Sequence, residues 1–239
     1  MILFDQRGTG KSKLKNPTGT VLIKTMVKDL EALRKHFCYE KWTVYGHSFG
    51  GEYANAYALH YPESIKKMVI SASPKTGDTF GGWQKFLIPD NESLTQSEWE
   101  LVDLYLEEEK KPNPSAEVLN KLRLALRARY YVSNPKNYRT VANWFLMVEE
   151  VHNYRVEGLN WSDKMIIRKL KKFEQPVLII HGFSDFINIK NPLDNGKYYP
   201  NSEVKIIEDS GHIMMVDQPE KYVRIVREFL LSDVAERSE

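Results

Sequence analysis

Apolar and polar positions alternate in two distinct patterns along the first 75 residues. Short apolar runs, typical of buried strands, occupy residues 2–5, 42–45 and 68–71. Between them, residues 26–37 and 52–60 carry apolar side chains at helical spacing. The resulting order of strand, helix, strand, helix and strand predicts a parallel sheet covered by helices.

The pattern becomes helical from position 77 to about position 173. Amphipathic stretches lie at residues 97–110, 115–131, 135–152 and 163–172. Strand-like runs return at residues 177–181 and 204–207, and a last helix is predicted at residues 220–231. We therefore expect an α/β fold with a mostly parallel sheet of about five strands. Residues 1–74 and 174–239 would form this core, with residues 75–173 inserted as a helical cap.

The composition narrows the class of protein. The chain has 239 residues, 42% hydrophobic and 28% charged, which suits a globular domain with an insertion. A net charge of +2 gives no reason to expect nucleic acid or a membrane surface as a partner. No apolar run reaches the roughly 18 residues of a membrane span. No signal peptide is visible, so a cytoplasmic location is expected, and the single cysteine excludes a disulfide framework.

The sequence Gly46-His47-Ser48-Phe49-Gly50 lies between a predicted strand and a predicted helix. A sharp turn at this junction would lift Ser48 above the sheet edge, and the two glycines would remove collisions around the turn. The N-terminus of the following helix would direct its amides toward a developing oxyanion, with the Phe49 N–H as the expected donor. Ser48 is therefore the candidate nucleophile, the alternative being a turn that contains a serine by chance.

A serine hydroxyl needs a neighbouring base, and that base needs an acid to orient it. On a strand–turn–helix scaffold the expected chain order is Ser, then Asp or Glu, then His. Asp185 and His212 each follow a C-terminal strand and complete that order with Ser48. Asp209 is expected to shape the turn before His212. No residues show metal-ligand spacing, so we expect neither a metal nor another cofactor.

These motifs together resemble the α/β-hydrolase fold and, within it, the proline iminopeptidase-like serine peptidases. The resemblance rests on Phe-Asp-Gln-Arg-Gly-Thr-Gly-Lys-Ser at residues 4–12, residues 29–34, the serine turn, residues 176–185 and Ser-Gly-His at residues 210–212. It implies an aminopeptidase that removes an N-terminal residue from small peptides. That family's serine turn is usually Gly-Gly-Ser-Trp-Gly, whereas this chain has Gly-His-Ser-Phe-Gly, so a preference for proline does not carry over.

The resemblance also implies a way to hold the substrate. Glutamates in the helical cap of such peptidases bind the free amine, and the matching candidates here are Glu149 and Glu150. The inserted helices are rich in aromatic residues, and Trp144 is a candidate for the lining of an apolar pocket. The partner would then be a small molecule or a short peptide, while the sequence does not indicate an oligomeric state.

The start of the chain leads to a further expectation. In this fold the strand before residues 2–5 ends in a loop that supplies a second oxyanion donor, and the sequence begins after that point. We expect residues 2–5 to pair directly with residues 42–45, which leaves the Phe49 N–H as the one protein donor. The alternative functions are an esterase, a lactonase or a carbon–carbon bond hydrolase with the same triad, and an inactive hydrolase-fold binding protein.

Overall fold

The computed structural model describes residues 1–15, 20–75, 94–147, 155–157 and 163–232. The helices and strands, in chain order, are β1 (Thr20–Leu22), α1 (Ile23–His36), β2 (Trp42–His47), α2 (Phe49–His60), β3 (Ile65–Ser71), α3 (Gln96–Glu109), α4 (Ala116–Leu126), α5 (Tyr138–Met147), β4 (Arg155–Glu157), α6 (Asp163–Leu170), β5 (Val177–Gly182), α7 (Lys190–Tyr198), β6 (Ser202–Ile207), α8 (Met214–Asp217) and α9 (Pro219–Leu231). Short 3₁₀ turns occupy Pro62–Ser64, Arg127–Tyr130 and Pro135–Asn137.

Four of the strands form one parallel sheet in the order β2-β3-β5-β6. Their register places Val44 opposite Met68 and Ile180 opposite Lys205. Strand β5 is buried along its whole length, as expected of a central parallel strand that is covered on both faces. All four strands run in one direction, so the loops after their carboxyl ends share one edge of the sheet. The predicted α/β fold is confirmed.

Helices cover the two faces of this sheet with separate cores. Ile70 and Ile179 pack in a core with α1, α2 and α6, whereas Val69 and Ile180 pack in a core with α8 and α9. Neighbouring residues of a strand therefore point to opposite faces, as the period of two requires. The sheet is therefore packed between two layers of helices, and the loops at its carboxyl edge extend from this packed core.

The helices α3, α4 and α5 form a cluster with a core of its own, in which Leu101, Leu126 and Val141 are buried. Thr95 begins α3 with a reciprocal capping box to Glu98, which satisfies backbone donors at the helix start. The helices predicted at residues 97–110 and 115–131 are thus confirmed. Helix α5 occupies the described part of the helix predicted at residues 135–152. The proposed limits of the inserted cap stay a prediction.

Two short strands escaped prediction, and so did two helices, α7 and the four-residue α8. Strands β1 and β4 have three residues each and pair in parallel with one another, apart from the main sheet. Three residues carry too few side chains to show an alternation. Helix α7 contains Pro192 and Gly196, two residues that weaken a helical pattern in sequence.

Residues 2–5 do not form a strand, so the predicted direct pairing with β2 is wrong. A strand forms only where a neighbouring backbone satisfies its N–H and C=O groups, and a cavity of about 580 Å³ lies between this segment and β2. The loop that follows makes its own contacts. The Asp5 carboxylate accepts the N–H of Lys11 at 2.9 Å, and Arg7 forms a bidentate ion pair with Asp29 of α1 at 2.6 and 2.5 Å.

Lys67 of β3 is buried and ties the sheet to the end of α9. Its ammonium donates to the carbonyls of Phe229 at 2.8 Å and Leu230 at 3.1 Å, and also to the Ser232 carbonyl. Carbonyls at a helix C-terminus have no partner within the helix, so a cation placed there satisfies several of them.

We expect Lys67→Met to lower the free energy of unfolding by about 2 kcal/mol, because it removes charge-assisted hydrogen bonds from buried and half-buried carbonyls at the end of α9. Urea denaturation measures the change, and Lys66→Met, at the exposed neighbouring position, is the matched control. Equal losses in the two variants would contradict the capping role.

Candidate active site

The turn between β2 and α2 has the strained geometry expected of a nucleophile turn. Ser48 lies between the two elements with φ 53° and ψ −122°, a conformation that side-chain-bearing residues rarely adopt. A Cβ on Gly46 would lie 2.0 Å from the carbonyl oxygen of Gly50, so this position excludes any side chain. The Ser48 N–H donates to the Ser71 carbonyl at 2.8 Å and fixes the turn to β3.

The steric role predicted for Gly50 is wrong. A Cβ at Gly50 would meet no atom within 4 Å, because this residue borders the cavity beside β2. The collision that requires glycine therefore involves the backbone of residue 50 and the missing side chain of residue 46. Phe49 is the first residue of α2, which places its amide at the N-terminus of the helix as expected.

Asp185 and His212 form a buried acid–base pair. The carboxylate oxygens of Asp185 lie 3.0 and 3.1 Å from Nδ1 of His212, and both side chains are almost fully buried. The N–H of Ile187 donates to the same carboxylate at 2.8 Å and orients it. A carboxylate accepts only, so the Nδ1 of His212 carries the proton and Nε2 is left as the basic nitrogen. The two loops after β5 and β6 are thus joined as predicted.

Aromatic rings enclose the imidazole of His212. The centroid of Phe186 lies 4.5 Å from that of His212, the centroid of His47 lies 5.0 Å away, and that of Tyr131 lies 5.3 Å away. Since His47 directly precedes Ser48, the contact brings the Ser48 turn beside the acid–base pair. The described hydrogen bonds do not include one between the Ser48 hydroxyl and His212.

His47 is linked to a chain of hydrogen-bonded hydroxyl groups. Its Nδ1 lies 3.0 Å from the Ser71 hydroxyl, which lies 3.1 Å from the hydroxyl of Tyr222, and that group lies 2.6 Å from the hydroxyl of Tyr45. Burial, together with the nearby His212 and His181, lowers the pKa of His47 to about 3. His47 is therefore neutral at neutral pH. Its Nε2 is buried and has no hydrogen-bond partner among the described residues.

His181 is a third imidazole at this edge. Its Nε2 lies 2.9 Å from the carbonyl of Ile187 and 3.7 Å from the Asp185 carboxylate. Burial lowers the pKa of His181, so the ring is neutral and the short distance to Asp185 is not an ion pair. The neutral ring donates to the carbonyl and packs at the end of β5, which is a structural role.

The other candidate residues from the sequence have different outcomes in the structure. Asp209 is exposed at φ 54° and shapes the turn before His212, so it is not the partner of the histidine. Trp144 lies on α5 with 46% of its surface exposed, and its place in a pocket stays a prediction. Glu149 and Glu150 lie outside the residues that the structure describes.

Within the described ranges, no group of three or more His, Cys, Asp or Glu could hold a metal ion, and no helix is long and apolar enough to cross a membrane.

Sequence reasoning missed the rings around His212. Phe186 follows Asp185 directly, and that adjacency is a signal that could have been used. Tyr131 lies 81 positions before His212, so no local pattern indicates their contact. These rings shield the histidine from water and limit its orientations.

Comparison with known proteins agrees with the α/β fold of the chain. The family model described as "alpha/beta hydrolase fold" matches residues 1–219. A proline iminopeptidase from Lactobacillus helveticus (strain DPC 4571) is 27% identical over 239 residues, which cover 96% of this chain and 79% of that protein. A solved alpha/beta fold family hydrolase from Bacillus anthracis str. Sterne has a TM-score of 0.63 at 18% identity and covers 94% of this chain and 80% of that chain. An esterase from Exiguobacterium antarcticum has a TM-score of 0.61 at 18% identity, with coverages of 95% and 80%.

The lowered pKa of His47 predicts an acid-sensitive fold. Between about pH 3 and 6.5 the unfolded chain protonates this histidine and the folded chain does not, so stability falls as the pH drops through that range. One such group contributes a slope of at most about 1.4 kcal/mol per pH unit.

We expect His47→Gln to reduce the stability lost between pH 7 and pH 5 by about 1–2 kcal/mol. Urea denaturation at the two pH values measures this difference, with the exposed His36→Gln as the control. The same loss in His47→Gln as in the parent protein would contradict the assignment.

Proposed function

The chain belongs to the alpha/beta hydrolase fold family, and within that family we propose that it is a serine hydrolase with Ser48 as nucleophile, His212 as base and Asp185 as orienting acid. One observation carries the proposal. The hydrogen-bonded pair of Asp185 and His212 lies at the same sheet edge as the strained Ser48 turn, with the ring of His47 in contact with both. Chain order and strand direction support the same assignment.

The proposed reaction follows from the tautomer of His212. Its Nε2 takes the proton of the Ser48 hydroxyl as the oxygen attacks the substrate carbonyl carbon, and the Asp185 carboxylate stabilises the resulting imidazolium. The histidine then gives that proton to the leaving group, and an acyl group stays on Ser48. Water, activated by the same histidine, releases the acyl group and restores the serine.

Phe49 is the proposed oxyanion donor. It follows the nucleophile and begins α2, so its amide belongs to the positive end of that helix. An amide there is placed by the backbone before the substrate arrives, which is why such donors act without reorganisation. The strain at Ser48 supports this role, because the same turn positions both the hydroxyl and the following amide.

The proposed substrate class is a small peptide or amide with a free N-terminus. A relative that is 27% identical over nearly the whole chain carries the name proline iminopeptidase. Residues 94–147 supply a separate helical cluster beside the site, with Tyr131 against His212, and this cluster is suited to select substrates. Glu149 and Glu150 follow α5 in sequence and are the proposed partners of the amine, with Trp144 as a proposed apolar contact.

We expect Ser48→Ala to abolish hydrolysis without changing the fold. We also expect Asp185→Asn to lower kcat by about 10⁴-fold, because the amide favours the wrong tautomer of His212. Steady-state kinetics on amino-acid amides and short-chain esters measures both effects, and circular dichroism checks the fold. Asp209→Asn is the matched control and is expected to be silent. Activity within tenfold of the parent in Ser48→Ala, or damage from Asp209→Asn alone, would overturn the triad.

Acetylating the substrate amine tests the substrate class. We expect kcat/KM to fall about 10- to 100-fold for the acetylated form, because a glutamate partner is left without its cation. Glu149→Gln and Glu150→Gln should lower activity only toward the free amine. Equal turnover of free and acetylated substrates would favour an esterase-type enzyme, and no turnover of any substrate would favour a binding protein.

A further inference from the structure

Asp217 joins two parts of the chain that meet at the proposed active site. It ends α8, five residues after His212, and its carboxylate accepts backbone and side-chain N–H groups from both sides. Oδ2 accepts the N–H of Gly211 at 2.8 Å and that of Ser133 at 2.7 Å. Oδ1 accepts Nδ2 of Asn137 at 2.9 Å and the N–H of Asn134 at 3.4 Å.

We infer that Asp217 is a positioning residue. It holds the loop at residues 208–213, which we call the His212 loop, against the segment between α4 and α5. The inference rests on the proposed function, since it needs His212 to be the base. Asp217 touches neither His212 nor Ser48 in any described hydrogen bond, and it acts through the backbone of Gly211, the residue directly before the histidine.

The backbone of Gly211 is in close contact with the backbone of residues 131–133. A Cβ on Gly211 would lie 2.8 Å from the carbonyl oxygen of Tyr131 and 2.9 Å from the carbonyl carbon of Val132. On the other side of His212, the N–H of Ile213 donates to the same Tyr131 carbonyl at 2.9 Å. His212 is therefore flanked by two attachments to one segment, and Asp217 supplies the first of them.

The same segment carries a ring that packs on the histidine. Tyr131 lies edge-on to His212 and also against Phe186, with centroid distances of 5.3 and 5.2 Å. A shift of the segment away from Gly211 would move this ring together with the carbonyl that holds Ile213. Hydrogen bonding by Asp217 and ring packing by Tyr131 thus restrain the imidazole to one orientation, that in which Nδ1 faces Asp185.

The N–H donors around residue 217 require a carboxylate at this position. An ionised Asp is an acceptor at both oxygens and matches the two donors that face each of them. An Asn of the same shape has one acceptor oxygen and an NH₂ group that would face N–H donors. Asp217→Asn therefore keeps the volume and breaks half of the attachments, which lets the loop relax.

The decisive measurement is the rate at which a small fluorophosphonate labels Ser48, because this probe reports the activated serine without needing amine recognition. A displacement of about 1 Å in catalytic geometry lowers rates about 10²-fold, so we expect Asp217→Asn to lower the labelling rate and kcat together by about 10- to 100-fold. KM for an amino-acid amide should change by less than about threefold. Asp209→Asn, the same exchange on an exposed residue of the same loop, is the control and should label like the parent.

A second variant covers the case in which Asp217→Asn does not fold. Asn137→Ala removes the Nδ2 group that donates to Asp217 Oδ1 and to the Val216 carbonyl, but it keeps the hydrogen bond between Gly211 and Asp217, and its labelling rate should fall about three- to tenfold. A folded Asp217→Asn that labels at the parental rate, or one that raises KM alone, would overturn the inference while the triad stands. Persistent labelling of Ser48→Ala would instead remove the proposed function, and this inference with it.

Discussion

The carbonyl of Gly50 approaches Gly46 so closely that no side chain fits between them, and the site depends on this contact. It lets α2 begin directly above the end of β2 and forces Ser48 into a left-handed conformation. The serine therefore projects from the sheet edge at the start of a helix. Because β2, β3, β5 and β6 are parallel, the loops after β5 and β6 reach the same edge and bring Asp185 and His212 with them.

Within the described residues, three histidines lie at this edge in three different environments. His47 is hydrogen-bonded to the Ser71 hydroxyl, His181 is hydrogen-bonded to the carbonyl of Ile187, and His212 is bonded to the Asp185 carboxylate. Burial lowers the pKa of the first two, so both are neutral. Only His212 has a carboxylate on Nδ1, and it is the imidazole that is equipped to accept a proton. Neutral neighbours add no positive charge that would oppose this step.

Periodicity predicted the parts of the fold that local sequence controls. The apolar runs at residues 42–45, 68–71, 177–181 and 204–207 predicted all four strands of the sheet, and the chain order of the polar residues predicted the acid–base pair. Strand formation at residues 2–5 depended on a neighbouring strand and could not be judged from the three apolar residues Ile2, Leu3 and Phe4 alone. The prediction of a steric role for Gly50 was wrong for a related reason, since the space around a side chain is a property of the packed structure.

Contacts between distant segments were beyond sequence reasoning. Tyr131 packs on His212, and Ser133 donates to Asp217, across more than 80 positions without a shared period or motif. These contacts join the helical cluster to the histidine loop. The described structure thus adds to the predicted triad a set of contacts by which the helical cluster and the loop that carries His212 hold each other in place.

The central claim is that Ser48, His212 and Asp185 act as one unit, and a crystal structure of the phosphonylated protein tests it most directly. We expect a covalent phosphonate on Ser48 Oγ, one phosphonyl oxygen about 3 Å from the Phe49 N–H, and His212 Nε2 within hydrogen-bond distance of the adduct. His212 should keep its Nδ1 on Asp185. An adduct on another residue, or an adduct on Ser48 with the imidazole of His212 turned away from it, would contradict the account.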